Sequence, residues 1–355
     1  MRTRLLTLFT ILVTALFAIT ANAQDKGTYP KVNIHGLTFG DFFYNVSSFS
    51  PSNKDLSGVR INRVYFTGDF TLSENFSSRF RLETDQIGSG GGKSEIGVMV
   101  KDAWLKWHNI FSGSDLIFGI SPTPAFDVSE GAWGHRYLEK TIMDLNHIVG
   151  SRDMGIDLKG KFDQSGSVKF WVKLGNNSGN KPETDKYKRF YGQLEFVPST
   201  NLLITVYGDY ATAPDITDPY DNTSKSHSSY VGALFLNYKE KGSFALGFEG
   251  FIRSMQNSIL STTATAKSMN SHGISVWAYA NLSDNAQIVG RFDNFDPNTD
   301  VSSDGTNLIL VGVQFNPIKS VSVTPNIEIF THQATAPNGG DKSDVVPRVS
   351  FFWKF

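Results

Sequence analysis

From Val32 to Phe355 the chain repeats one theme, roughly 9 to 13 residues of alternating apolar and polar side chains followed by a polar break. A period of two is the period of a β-strand, which sends successive side chains to opposite faces. Ser77, Arg79, Arg81, Glu83 and Asp85 interleave with Ser78, Phe80, Leu82 and Thr84, which puts four charges on one face. Lys169, Trp171 and Lys173 likewise alternate with Val168, Phe170, Val172 and Leu174. Farther on, Phe244, Leu246, Phe248, Gly250 and Ile252 oppose Glu249 and Arg253, and Val349, Phe351, Trp353 and Phe355 oppose Arg348, Ser350 and Lys354. Faces so rich in charge do not pack a dry protein core, where unpaired ions are almost never found.

The alternation predicts strands at 32–45, 60–71, 76–87, 97–109, 115–122, 152–162, 167–176, 188–197, 202–212, 226–238, 243–254, 270–281, 286–296, 305–315, 321–330 and 345–355. Every second connection is short, as at Ser73-Glu74-Asn75, Ser112-Gly113, Gln164-Ser165-Gly166, Pro198-Ser199-Thr200, Glu240-Lys241-Gly242, Ser283-Asp284 and Pro317-Ile318-Lys319. An even strand count, alternation about ten residues long and this sorting of connections mark the bacterial outer-membrane barrel. A soluble sandwich has no reason to sort its loops this way. Bilayer physics accounts for the rest: in hydrocarbon every backbone N–H and C=O must be satisfied internally, and a closed sheet does so without edges. The expected fold is therefore all-β, a transmembrane antiparallel β-barrel of about 16 strands with short periplasmic turns and long extracellular loops. Aromatic residues make up 13% of the chain and gather near strand ends, as at Phe42-Phe43-Tyr44, Trp104 with Trp107, and Phe351-Phe352-Trp353, where interfacial girdles need them.

The N-terminus carries Arg2 and Arg4, an apolar run from Leu5 to Ile19, and Ala21-Asn22-Ala23. These are the parts of a cleaved secretory signal peptide. The expected organisation is a signal over 1–23 and one barrel domain over 24–355, with no Pro/Ser-rich or charged linker to divide it. Beyond Ala23 no stretch reaches about 18 uninterrupted apolar residues, so a membrane-spanning helix is excluded. Absence of cysteine excludes disulfide frameworks, thiolate metal sites and catalytic thiols together. Without Arg2 and Arg4 the balance is 31 basic to 34 acidic residues, a net of about −3, which is no footprint for nucleic acid. The last strand ends on Phe355 with apolar groups at alternate positions before it, a signature suited to recognition by the outer-membrane assembly machinery.

Between Arg60 and about Gly160 the chain carries Arg60 and Arg63 before Gly68, Arg81-Leu82-Glu83-Thr84-Asp85, Asp102-Ala103-Trp104, Gly119 with Pro122 and Pro124, and Arg152-Asp153-Met154-Gly155. The order of these features resembles the phosphate-selective porin O/P family. The resemblance implies a sixteen-stranded anion-accepting channel, often trimeric, whose basic residues line a constriction and pass phosphate-like solutes. The C-terminal half matches that family in architecture, and its lysine ladder cannot be placed here residue by residue.

Alternation assigns Arg63, Arg79, Arg81, Lys106, Lys159, Lys161, Lys169, Lys173, Arg253, Arg291, Arg348 and Lys354 to the lumen. Facing them are Asp41, Asp69, Glu83, Asp85, Asp102, Asp157, Glu195, Asp209, Glu249, Asp293 and Glu328, which nearly balance the charge. Lys159, Lys161, Lys169 and Lys173 gather where two adjacent strands meet, a wall that would favour anions because ladders of charge set pore selectivity. The longest connection, Thr123 to Ser151, contains Trp133, His135, Arg136, Glu139 and Lys140, with residues suited to a short helical turn over 133–140. It is the natural loop to fold inward and narrow the channel.

The expected function is passive diffusion of small hydrophilic or anionic solutes through a barrel set in outer-membrane lipid, without cofactor, metal or catalysis. The alternative is a non-conducting surface-binding or scaffold barrel that works through its long loops. Gly88-Ser89-Gly90-Gly91-Gly92 joins two strands and opens no helix, so it reads as a surface loop rather than a phosphate-binding loop. Asp296, Asn298 and Asp300 share the first spacings of a calcium loop, but Val301 and Asn307 stand where its Gly and Glu belong. The seven histidines form no zinc-protease pair.

Overall fold

The computed structural model describes residues 29–85 and 97–355, so the expected signal segment 1–23 and the glycine-rich stretch 88–92 lie outside the described residues. The barrel strands are β1 Lys31–Tyr44, β2 Ser57–Thr71, β3 Phe76–Asp85, β4 Gly97–Phe111, β5 Ser114–Pro122, β6 Arg152–Lys161, β7 Val168–Gly175, β8 Arg189–Ser199 and β9 Leu202–Ala211. After a two-residue ribbon, β10 Ile216–Thr217 with β11 Ser224–Lys225, come β12 Ser229–Glu240, β13 Phe244–Ile259, β14 Lys267–Ser283, β15 Ala286–Asp296, β16 Thr306–Ile318, β17 Val321–His332 and β18 Ser343–Lys354. Each barrel strand pairs antiparallel with its neighbours in the chain, and β1 closes the ring on β18. The sixteen strands match the sixteen expected from alternation, with ends shifted by up to five residues where β13 runs on to Ile259.

The short turns all fall at one end of the barrel and the long connections at the other, because antiparallel neighbours exchange ends at every turn. On the outer face Phe66, Phe118, Val172, Phe190, Val206, Leu246 and Val276 stay exposed, an apolar belt that hydrocarbon solvates and water does not. Among the described residues no helix is long and apolar enough to cross a membrane.

Two irregularities alter what faces inward. Phe39 pairs with Arg63 and Gly40 with Ile61, which leaves Asn62 as an extra residue in β2. Arg81 pairs with Asp102 and Leu82 with Val100, which leaves Lys101 as an extra residue in β4. A bulge resets the parity of side-chain direction. Strict alternation places Arg60 and Lys101 outside; the bulges bring both inside, where Arg60 meets Asp41 at 2.8 Å and Lys101 meets Glu83 at 2.9 Å.

The interior apolar cluster is built between barrel wall and loop rather than between two sheets. Trp133, Tyr137 and Leu138 pack with Phe39, Phe235, Ala245, Trp277, Val289, Leu308 and Leu310. A second cluster joins Ala125, Phe126, Ile142, Met143, Ile148 and Val149 to Tyr191, Tyr207, Val231 and Phe251.

Candidate functional site

Segment 123–151 leaves β5 and returns to β6 through a neck held by Thr123, whose hydroxyl donates to Gly150 O at 2.6 Å. Helix α1, Asp127–Trp133, stops at Gly134, whose φ of 68° lies in the left-handed region that favours glycine. A second short helix, α2, covers Ile142–Leu145. The helical turn expected over 133–140 is therefore displaced to either side, because Gly134 terminates the first helix and 134–141 runs as irregular chain.

That irregular chain is fixed against the inner wall by its own polar groups. Trp133 is fully buried, donates from Nε1 to Glu139 O at 2.9 Å, and lies 5.3 Å ring to ring from Trp277. His135 Nε2 sits 2.7 Å from Gln287 Oε1, and burial pushes its imidazole pKa down. Tyr137 donates to Gln314 Oε1 at 2.7 Å. The loop carbonyls find donors as well: Arg348 donates to Leu138 O at 3.2 Å and Arg291 to Lys140 O. Glu139 accepts from the Lys140 N–H at 2.8 Å. Arg136 lies between Glu130 at 2.8 Å and Asp144 at 3.1 Å.

These polar wall partners belong to β14–β18, and the apolar side chains of the loop add β1, β8, β9, β12 and β13, so the loop covers the wall outside β2–β7. The remaining wall, β2–β7, presents charge. Arg63 pairs with Glu83, and Asp102 takes Arg81 at 3.3 Å and Arg152 at 2.5 Å. Nearer the short turns, Arg79 meets Asp69 at 2.6 Å, Lys106 meets Asp115 at 3.5 Å and Lys169 meets Glu195 at 2.6 Å. Lys173 is closed off altogether, 3.0 Å from Asp157 with neither side chain exposed. Aromatic rings brace several cations: Arg81 lies 5.0 Å from the Tyr65 ring centroid and Arg79 lies 5.7 Å from that of Trp104.

Lys159 and Lys161 differ from the rest. Among the described residues neither has a carboxylate within ion-pair distance; Lys159 lies 3.1 Å over the Trp171 ring, and Lys161 donates to Gln164 O at 3.1 Å. Both line a cavity of about 490 Å³ beneath α1. The four lysines read as one basic wall thus divide into two that are neutralised, Lys169 and Lys173, and two that are not. Of the other residues assigned to the lumen, Arg253 donates to Ser271 at 3.0 Å, Arg291 pairs with Asp293 at 2.5 Å and Arg348 with Glu328 at 2.8 Å. The side chain of Asp85 lies outside the described set.

Sequence reasoning missed Arg60, Lys101, Arg152, Arg189 and Asp127. Bulges hid the first two, and Arg152 and Arg189 stand at strand starts, where alternation gives the least guidance. Asp127 lies in the loop, outside any periodic pattern. No group of three or more His, Cys, Asp or Glu side chains among the described residues could hold a metal ion.

No protein-family model matches the chain, and no curated protein matches it in sequence. Solved structures do match. The anion-selective porin from Comamonas acidovorans superposes with a TM-score of 0.64 at 12% identity, covering 92% of this chain and 100% of its own. The outer membrane channel DcaP of Acinetobacter baumannii gives 0.64 at 11% identity, covering 93% and 99%. In-vitro folded OmpT of Vibrio cholerae, in its trimer form, gives 0.59 at 11% identity, covering 92% and 100%. At such identities the likeness is one of fold, and the closed sixteen-stranded antiparallel barrel of this chain is the barrel of outer-membrane porins.

Proposed function

We propose that the chain is an outer-membrane channel for passive diffusion of small hydrophilic solutes, with a modest preference for anions of the phosphate class. The observation that carries this reading is the asymmetry of the lumen. Segment 123–151 packs against β8, β9, β12–β18 and β1, and the β2–β7 side keeps a charged, polar lining with a cavity of about 490 Å³. A barrel meant only as a scaffold gains nothing from burying ion pairs along one wall, since paired charges add little net stability over apolar packing.

In this reading the narrowest passage runs between the loop and the basic wall. Arg136, held by Glu130 and Asp144, marks the loop side; Arg63, Arg81, Lys101 and Arg152 mark the other. Lys159 and Lys161 supply the anion bias, being two lysines of the cavity wall without a carboxylate within ion-pair distance. Three copies would associate through their outer belts, as the trimeric form of the Vibrio cholerae neighbour suggests.

Purified, refolded protein in planar bilayers under a salt gradient tests this. Steady conductance with a reversal potential on the anion side supports the proposal, and the double variant Lys159→Gln, Lys161→Gln should move that potential towards zero. Silence from a folded barrel would transfer the work to the long loops and make the chain a binding or scaffold barrel.

A further inference from the structure

Along a wall where most charges are paired, one cavity keeps polar groups that the protein does not use. Asp127, at the start of α1, has a carboxylate with no hydrogen bond or ion pair among the described residues. Across the cavity the Lys159 ammonium lies 3.1 Å over the Trp171 ring and has no hydrogen-bond acceptor among the described residues, while Asp127 and Asp157 act on it electrostatically from beyond contact. Gln193 is only 6% exposed, and its side-chain amide has no hydrogen-bond partner among the described residues. Lys161 joins the lining, together with Asp115, Lys169 and Glu195.

Polar groups that line a cavity without protein partners find them in water or in a ligand. What they ask for here is specific. The wall side carries Lys159 and Lys161 beside two charge pairs, Lys106–Asp115 and Lys169–Glu195, and the loop side carries Asp127, which acts electrostatically on Lys159 from beyond the 4.0 Å of an ion pair. A solute carrying both charges fills that gap better than one carrying either. The volume, about 490 Å³, falls within the range of roughly 300 to 1,000 Å³ usual for small-molecule sites.

We infer that this cavity is a subsite for zwitterionic solutes, amino acids and dipeptides, taken with the carboxylate on Lys159 and Lys161 and the ammonium on Asp127. Gln193 is placed to hydrogen-bond the peptide amide. The inference rests on the diffusion-channel reading, because it names one solute class that such a channel would hold in transit. Both ends of the solute make charge-assisted hydrogen bonds, and each is worth on the order of a tenfold change in affinity.

The test is calorimetric titration of the detergent-solubilised, folded full chain with diglycine and with N-acetylglycine, which keeps the carboxylate and loses the ammonium. The inference requires diglycine to bind at least about tenfold tighter than N-acetylglycine, and requires Asp127→Asn and Lys159→Gln each to weaken diglycine by about tenfold. Equal binding of the two probes by the parent protein would make the site a plain anion site, and diglycine binding that survives Asp127→Asn unchanged would remove the ammonium contact; either result overturns the inference. The probe comparison needs no variant, so a substitution that fails to fold does not decide the matter. Conductance in bilayers is scored separately: a conducting barrel that ignores diglycine loses only the subsite, and a silent barrel loses the channel.

Discussion

Lys173 and Asp157 meet at 3.0 Å with neither side chain exposed, and Ser121 donates to the same carboxylate oxygen at 2.6 Å. Trp171 Nε1 donates to the other oxygen at 2.7 Å, so the carboxylate is satisfied on both sides. Such a group holds β5, β6 and β7 together, and its net field in the lumen is small because the charges cancel at contact distance. In the proposed channel the selectivity role therefore goes to Lys159 and Lys161, and Lys173 is left with a stabilising one.

Replacement of Lys173 by Met is expected to strand the buried Asp157 carboxylate and cost about 3–5 kcal/mol. Thermal unfolding followed by the shift in gel migration of the folded barrel would read this. The reversal potential should stay close to that of the parent protein. A variant as stable as the parent, with its potential moved towards cations, would return Lys173 to the selectivity wall.

Asp102 has no exposed side-chain surface and takes two guanidinium groups, Arg152 at 2.5 Å and Arg81 at 3.3 Å. Asp102→Asn removes one negative charge and leaves both cations facing the lumen. The channel should become more anion-selective, with the reversal potential in a tenfold salt gradient moving farther to the anion side. No movement would mean that the field at this level is set elsewhere, and would weaken the basic wall as part of the constriction.

Much of this architecture is written in the period of the chain, and the exceptions have physical causes. Val168 to Leu174 alternates without a fault, and β7 occupies Val168–Gly175 with Lys169, Trp171 and Lys173 on one face. Arg60 and Lys101 escape an alternation-based lumen assignment because a single inserted residue inverts every side chain beyond it, and neither Asn62 nor Lys101 announces a bulge by residue type. The inward loop left a trace that alternation alone undervalues. Leu308-Ile309-Leu310-Val311 is apolar on both faces, and Leu308 and Leu310 are buried under the loop while Ile309 and Val311 face outward. A strand apolar on both faces in a barrel with a wet lumen signals that protein covers its inner side. Pairing within the lumen was beyond reach, since which carboxylate meets which lysine depends on register between strands.

Asp218 ties the connection after β9 to the one after β13. Its side chain is unexposed, accepts from the Ala266 N–H at 2.8 Å and pairs with Lys225, and Thr265 donates to it at 3.1 Å. The hydrogen bond from Ala266, then that from Lys225, holds the carboxyl below its usual value of 3.8. A depressed folded pKa gives stabilisation that is complete above the unfolded value and is lost as pH falls through the folded one. Loops 212–228 and 260–266 should therefore resist limited proteolysis from neutral pH down to about pH 4, and Asp218→Asn should expose them even at neutral pH. Protection lost already between about pH 6 and pH 5 in the parent protein would rule out this carboxylate as the latch.

Trp133 carries the docking of the inward loop. It is fully buried, its ring lies 5.3 Å from that of Trp277, Arg291 stands 5.5 Å from its ring centroid, and its Nε1 fixes the Glu139 carbonyl. Truncation of such a side chain costs about 3–5 kcal/mol. None of that loss falls on the strand ladder, which Trp133 does not join, so it falls on the contact between loop and wall. Trp133→Ala should leave the melting temperature of the barrel nearly unchanged while the single-channel current grows larger and noisier, and Trp133→Phe, which keeps an aromatic face against Trp277, should restore most of the parent current. A Trp133→Ala channel with unchanged size and noise would mean that segment 123–151 does not set the narrowest passage, and the constriction would then have to be sought between Arg63, Arg81 and Arg152 on the opposite wall.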